Sequence, residues 1–432
     1  MAVGSALSCI FSWGPQVKEN KRFVVCEDTD HGGSIEGGKK IKTIEILYKN
    51  RIMQKSIHAI KFGVLGGGQL GRMLIQSAID FNIDVHVLDP NPEAPCSGCA
   101  KSFAAGDLKD YDTVYQFGKD LDLLTIEIEA VNTAALKDLR DNEQVTVYPQ
   151  PEVIELIQDK RVQKQFYKDN NIPTADFILT ENKQDVTQHK DFLPAVNKLG
   201  KEGYDGRGVQ ILRSENELDK AFDKPGLLEK LIDFEKEIAV IVARNQSGEI
   251  TAFPAVELVF HPEANLVEYL FSPAAISESI ENEAQQIAKD VIEKLDMVGL
   301  LAVEMFVTKE AEVLVNEVAP RPHNSGHQTI EGNITSQYEQ HLRSIFNLPL
   351  GDTSIIMPSA MVNLLGEEGH IGDAKYAGIE KCMATKGVHL HLYGKKKTKP
   401  FRKMGHVTIV DENIDSLKEK ANFVKETLKV IT

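Results

Sequence analysis

The sequence predicts an α/β protein of more than one domain, and three observations carry that prediction. A strand, glycine turn, helix and second strand run from 61 to 89, a further glycine-rich hairpin lies at 203–208, and two apolar strands between 299 and 320 carry carboxylates. Strand and helix periods that alternate at the start of a domain argue for a parallel sheet covered by helices. The length, 432 residues, predicts two to four domains at roughly 100–200 residues each.

Composition narrows the function classes. With 42% hydrophobic and 26% charged residues, the chain is neither collagenous, nor a disulfide framework, nor wholly disordered. Its 49 Lys+Arg against 64 Asp+Glu give a net charge of −15, which argues against nucleic acid or an anionic membrane as a partner. No apolar run reaches the ~18–20 residues that span a bilayer. Five scattered cysteines fit a reducing compartment, and a cytoplasmic location is expected.

Residues 1–52 stand apart, with eight Lys+Arg, six Asp+Glu and the single Trp13. MAVGSALSCIFSW lacks the basic start of a secretory signal, and the stretch is too acidic for an ordinary transit peptide. It reads as a poorly structured or non-native extension ahead of Met53, with a targeting or partner-binding tail as the alternative.

KFGVL (61–65) is then a buried strand, Leu70, Met73, Leu74, Ala78 and Phe81 recur at helical spacing, and VHVLD (85–89) is a second strand. Gly66, Gly68 and Gly71 at the strand-to-helix turn let backbone approach a phosphate, and Asp89 ends the next strand where a ribose-binding acid belongs. Alone, this predicts an NAD-binding Rossmann oxidoreductase. Cys96 and Cys99 form one CxxC in a Pro-rich loop; with no second pair it is not a zinc site. DLLTIEIEAV (122–131) is a later strand with Glu127 and Glu129 at the carboxyl end, where open α/β sheets bind ligands. Helical segments follow at 133–140 and 151–169, and Pro149 and Pro151 mark the exit from the first domain.

Lys198 ends the strand LPAVNKLG, and the loop with Gly203, Gly206 and Gly208 has backbone N–H groups able to cover phosphates. Glu229 closes one strand and Glu237 opens the next. In the hairpin GLLAVEMFV and AEVLVNEVAP, a turn centred between Lys309 and Glu310 would set Glu304 opposite Val315 with Glu317 its diagonal neighbour, roughly 7–8 Å away. Acids in apolar strands need a cation or partner, and oxygen ligands favour magnesium. In a regular strand Asn316 points the other way. Arg321 is a fixed cation, His323 and Asn324 are orienting donors, and His323 with His327 lacks the helical context of a zinc site. In the basic loop 391–410, Lys395, Arg402 and Lys403 flank the base, whereas Lys396, Lys397 and Lys399 read as a solvated tip.

Four motifs in this order, GGGQLGRM, EGYDGRGVQ, NEVAPRPHNSGH and RKMGHVTI, resemble the ATP-grasp superfamily and, within it, the 5-(carboxyamino)imidazole ribonucleotide synthetases. The resemblance runs from about 61 to 410 and leaves out residues 1–52. It implies an α/β ATP-grasp fold: a Rossmann-like domain over 53–152, a linker helix and lid over 153–232, and a mixed body with a C-terminal extension over 233–432. It implies ATP and Mg2+ as cofactors, bicarbonate and aminoimidazole ribonucleotide as substrates, and a homodimer. By the same match Lys160 and Lys198 would contact phosphates, and Gly203, Tyr204, Asp205, Gly206, Arg207, Gly208 and Val209 would form the lid loop. Glu229, Lys230, Leu231, Ile232 and Glu237 would hold adenine and ribose, Glu304 and Glu317 magnesium, with Asn316 beside them. Gln69, Leu70, Glu127, Lys395, Arg402 and Lys403 would receive the ribonucleotide. Tyr204, Asp205, Arg207, Arg321, His323, Asn324 and Lys395 resemble the reaction neighbourhood, in which Asp205 or His323 manages the amine proton. The glycine turn would then serve the ribonucleotide and not NAD. A formate-dependent glycinamide ribonucleotide transformylase, a biotin carboxylase and a non-catalytic nucleotide sensor are the competing readings.

Overall fold

The computed structural model describes residues 55–201, 208–260 and 267–432, together with the backbone of three short strands nearer the start. The expectations for residues 1–52, and those for Gly203, Tyr204, Asp205, Gly206 and Arg207, otherwise lie outside the described residues. The chain divides into Met1–Gln54 and Lys55–Thr432. In the first unit Ser8–Ile10, Arg22–Glu27 and Lys42–Ile46 pair as an antiparallel sheet.

The second unit opens with a five-stranded parallel sheet. Its order is Ser102–Ala105, Val85–Asp89, Phe62–Leu65, Leu123–Ile126 and Thr146–Val147. The central strands FGVL and LLTI are buried at every position, as expected where helices cover both faces. The helix Gln69–Asp80 turns Leu70, Met73, Leu74 and Ala78 inward, while Phe81 caps its end.

A four-stranded antiparallel sheet follows in the order Val209–Leu212, Ala195–Leu199, Gly226–Lys230 and Phe177–Thr180. The last sheet has nine strands. Val313–Ala319 is at one edge, followed by Gly299–Thr308, Phe234–Arg244, Val256–Phe260, Val267–Ser272, Ser359–Leu365, Lys403–Val410 and Val388–Leu392, with the ninth strand, Ile250–Ala252, paired to Phe234–Arg244 off this path. The C-terminal strands therefore extend the body's own sheet. The helix Glu278–Lys294 covers one face of it, packing Ala284, Ile287, Ala288 and Val291 on Ile238, Val240, Leu301 and Val303.

The acid-bearing hairpin differs from its expected register. Val307 pairs with Val313 and Met305 with Val315, one residue away from the expected turn. Unbroken, that register would face Glu304 with Asn316 and send Glu317 to the other side of the sheet. A β-bulge at Asn316 corrects it, because Glu304 pairs with Glu317 directly. Two residues then oppose one, and the side chains of Asn316 and Glu317 come to the same face.

Deleting Asn316 should turn the bulge into a regular ladder in which Glu304 still opposes Glu317. We expect cooperative urea unfolding with a loss limited to about 1–2 kcal/mol, the scale of a lost polar contact. Broad, non-cooperative unfolding would mean that the bulge itself sets the hairpin register.

Candidate functional site

Strand alternation and the bulge gather the carboxylates. Ala239 faces Glu304 and Glu237 lies two residues along, so Glu237 and Glu304 share a face with Asn316 and Glu317. Lysines meet this face from two other elements. Lys160 begins the helix Lys160–Asp169, which Asp159 caps by accepting from the Arg161 amide at 3.0 Å. Its own amide donates to the Gly200 carbonyl at 2.7 Å, tying the helix start to the lid strand, and its ammonium lies 2.6 Å from Glu317 Oε2. Lys198, near the end of that lid strand, donates to Asn316 Oδ1 at 3.0 Å and forms an ion pair with Glu229. The other Glu229 oxygen pairs with Lys164, which lies one helical turn beyond Lys160.

The electrostatics follow from who stands beside whom. The Lys160 ammonium beside Glu317 holds that carboxyl down to about 2. Burial, then the charge of Glu317, pushes Glu304 up to about 8 and Glu237 up to about 7. Burial opposes ionisation of Glu229, but Lys198 and Lys164 prevail and keep it low; burial brings Lys164 down to about 8. Among the described residues neither Glu304 nor Glu237 has a lysine or arginine ion pair like that of Glu317 with Lys160. A hard divalent ion fits this all-oxygen set. Among the described residues no three His, Cys, Asp or Glu side chains converge as a metal site on their own.

Beside this cleft, Arg321 pairs with Glu129 at 2.9 Å. His323 Nδ1 lies 2.9 Å from Ser325 Oγ and 3.6 Å from Glu304 Oε1. Burial, reinforced by Arg321 and Lys403, pushes His323 down to about 3, so its ring is neutral near pH 7. Asn324 is buried, and neither its amide nitrogen nor its amide oxygen has a partner among the described residues. Such a group is costly unless a ligand or water meets it.

The glycine turn holds an unexpected occupant. Gly68 N and Leu70 N each donate to a Glu127 oxygen at 3.1 Å, and Gly67 N donates to Asp89 at 2.7 Å. Burial pushes Glu127 up to about 7. A Cβ on Gly68 would stand 2.3 Å from a Glu127 oxygen, and Gly66 has φ +101°. These glycines make room for the protein's own carboxylate, and a dinucleotide pyrophosphate would have to displace two acids from the turn. Gln69 opens the helix here and Leu70 is buried against it.

In the basic loop, Lys395 donates to the Lys403 carbonyl at 2.7 Å and lies 5.5 Å from the Tyr393 ring centre. Lys403 is close enough to act on both Glu304 and His323. Arg402 instead donates back to the Lys397 carbonyl at 2.6 Å. The tip lysines Lys396 and Lys397 pair with Glu93 and Asp373 while remaining exposed. Lys230 donates to the Phe192 carbonyl at 3.1 Å, and the Leu231 amide donates to the Pro194 carbonyl at 3.2 Å, where the lid joins the body beside Ile232. Gly208, with φ +75°, leads into Val209 on the lid's edge strand.

Two groups escaped sequence reasoning. Lys164 had a signal, its i,i+4 spacing from Lys160 on one helix face. Gln337 had none: it is fully buried, its Oε1 accepts from the His323 amide at 2.8 Å and its Nε2 donates to the His323 carbonyl at 2.7 Å.

Comparison with known proteins places these features in a family. A ribonucleotide synthetase preATP-grasp domain matches residues 59–158, an ATP-grasp domain 165–338, and a phosphoribosylaminoimidazole carboxylase C-terminal domain 359–420. N5-carboxyaminoimidazole ribonucleotide synthase of Bacillus subtilis is 35% identical over 360 residues, covering 82% of this chain and 92% of that protein. The chloroplastic phosphoribosylaminoimidazole carboxylase of Vigna aconitifolia is 37% identical over 86% of this chain, which spans only 67% of that longer protein. The crystal structure of the Thermotoga maritima N5-carboxyaminoimidazole ribonucleotide synthetase superposes with a TM-score of 0.80 at 42% identity, covering 86% of this chain and 99% of that one. An Aspergillus clavatus synthase solved with ADP and 5-aminoimidazole ribonucleotide gives a TM-score of 0.78 at 31% identity, over 86% and 99%. The chain belongs to the N5-carboxyaminoimidazole ribonucleotide synthetase family of ATP-grasp ligases.

Proposed function

We propose that this protein carboxylates the exocyclic amine of 5-aminoimidazole ribonucleotide with bicarbonate, converting ATP to ADP and phosphate in purine biosynthesis. The observation that carries the reading is the single face on which Glu237, Glu304, Asn316 and Glu317 meet Lys160 and Lys198, next to the unpartnered amide of Asn324. The Aspergillus clavatus relatives solved with ATP, or with ADP and the ribonucleotide, support the two larger substrates.

Bicarbonate is a poor electrophile because its carboxyl carbon already bears donating oxygens. Transfer of the γ-phosphoryl group makes carboxyphosphate, whose phosphate leaves readily when the ribonucleotide amine attacks the carbon or the CO2 it releases. Lys160 and Lys198 would hold the phosphates and spread the charge of the transferring group. Held by Glu304 and Glu317, Mg2+ would supply further neutralisation of phosphate oxygens. Glu237 and the backbone of Glu229, Lys230, Leu231 and Ile232 would take ribose and adenine, while the Glu229 carboxylate spaces Lys198 from Lys164. Gly203 to Val209 would close over the nucleotide. Tyr204, Asp205, Arg207, Arg321, His323 and Asn324 would line the reaction space. Asp205 or His323 would take the amine proton, and the burial that keeps His323 neutral also makes it a weak base. Gln69, Leu70, Glu127, Lys395, Arg402 and Lys403 would bound the ribonucleotide. A homodimer in the cytoplasm completes the reading; light scattering measures the assembly.

ADP release should require both the ribonucleotide and bicarbonate, and formate should not replace bicarbonate. ATP turnover indifferent to the ribonucleotide would sink the assignment. Glu304→Gln and Glu317→Gln should each lower turnover by roughly 100-fold or more, with circular dichroism unchanged; near-wild-type activity in both would make these carboxylates structural.

A pH dependence follows from the raised acids. Glu304 and Glu237 keep their protons in the folded chain up to about 8 and about 7, above the ordinary value of 4.5, so folding binds protons. Their contribution to stability is complete below pH 4.5 and is lost as pH rises toward 8. The thermal midpoint of the metal-free protein should reflect that loss, and MgADP should raise it more at pH 8 than at pH 6. In Glu304→Gln, which mimics the protonated acid, the pH dependence of this gain should shrink.

A further inference from the structure

Cys96 and Cys99 have no part in the nucleotide cleft, yet they sit against the glycine turn. Cys96 is fully buried and Cys99 is exposed. The Cys96 carbonyl accepts from the Cys99 amide at 3.1 Å and from the Ala100 amide at 3.0 Å. A turn of this kind brings Cα atoms three residues apart within about 7 Å, the upper span of a disulfide. The Cys99 thiol donates to the carbonyls of Cys96 at 3.7 Å and Pro95 at 3.8 Å; its closeness to Cys96, with help from the Arg72 guanidinium, brings Cys99 down to about 7 and drives Cys96 up. Cys99 is the sulfur that a small disulfide can reach, and the buried Cys96 is the one that must resolve the adduct.

Cys96 is also bonded to the turn. Its amide donates to the Gly67 carbonyl at 2.9 Å and its thiol to the Gly68 carbonyl at 3.5 Å. A Cβ on Gly71 would stand 3.0 Å from its sulfur. Swinging the Cys96 sulfur toward Cys99 removes the bond to Gly68, whose amide is one of the two that hold Glu127.

We propose that Cys96 and Cys99 are a reversible dithiol–disulfide site for small-molecule disulfides, and that oxidation loosens the glycine turn. The Cys99 thiolate attacks one sulfur of the small disulfide, whose S–S bond breaks and releases one thiolate. The Cys96 sulfur then attacks Cys99, expels the second thiolate and passes its proton to it. Two protein thiols are oxidised by two electrons and the small disulfide is reduced to two thiols.

The test treats the full chain with oxidised glutathione and maps the alkylated peptides by mass. The peptide spanning 96–99 should lose two hydrogens and regain them with dithiothreitol. Amide hydrogen exchange over 66–72 should rise several-fold in the oxidised form. Cys96→Ser keeps a hydroxyl for the Gly68 carbonyl; it should stop at a glutathione adduct on Cys99 and leave that exchange unchanged. A wild-type protein that stops at the adduct, or a disulfide that leaves exchange over 66–72 unaltered, overturns the proposal.

Discussion

The constraint on which the site depends is the charge balance inside one cleft. Glu229, Glu237, Glu304 and Glu317 are drawn onto facing surfaces, and among the described residues Lys160, Lys164 and Lys198 form ion pairs with only two of them, Glu229 and Glu317. Removing carboxylates from water is costly unless each finds a cation. Glu229 and Glu317 find lysines and stay ionised, whereas Glu304 and Glu237 are left to take up protons. The fixed cations are thus shared unevenly among the carboxylates, and the deficit lies at Glu304 and Glu237. An acidic chain can thus gather cations in one cleft, because the field that matters is local.

The same pairs join separate elements. Lys160 comes from the helix that leads into the lid, Lys198 from the lid sheet, and Glu317 and Asn316 from the edge strand of the body. Lys160 and Lys198 therefore tie these elements to the body's edge strand. The pairing of Glu229 with both Lys164 and Lys198 keeps two like charges near one another at tolerable cost.

Legibility in the sequence followed how local the determinant was. The strand, turn and helix at 62–89 were readable because periodicity and glycine placement are neighbour effects, and Lys198, Glu304 and Glu317 were readable as charges in apolar strands. The hairpin register was not: it shifts by one residue at the bulge between Glu304 and Met305, and Asn316 has no property that announces a bulge. The occupant of the glycine turn was not readable either, since Glu127 reaches it from a strand about sixty residues away. Family motifs supplied what spacing left open, above all Arg321, His323 and Asn324, whose grouping rests on a loop held from a distant helix by Gln337.

Glu127 shows why a motif and its chemistry can part company. The turn G-x-G-x-x-G at a helix start normally offers bare amides to a phosphate. Here two of those amides are already satisfied by a carboxylate, and the helix dipole favours that charge. Burial nevertheless keeps Glu127 near its titration midpoint at neutral pH, with Arg321 tempering it from beside Glu129. A group balanced in this way can accept or release a proton at little cost. The turn is therefore a poor match for a dinucleotide pyrophosphate, which the carboxylate would repel.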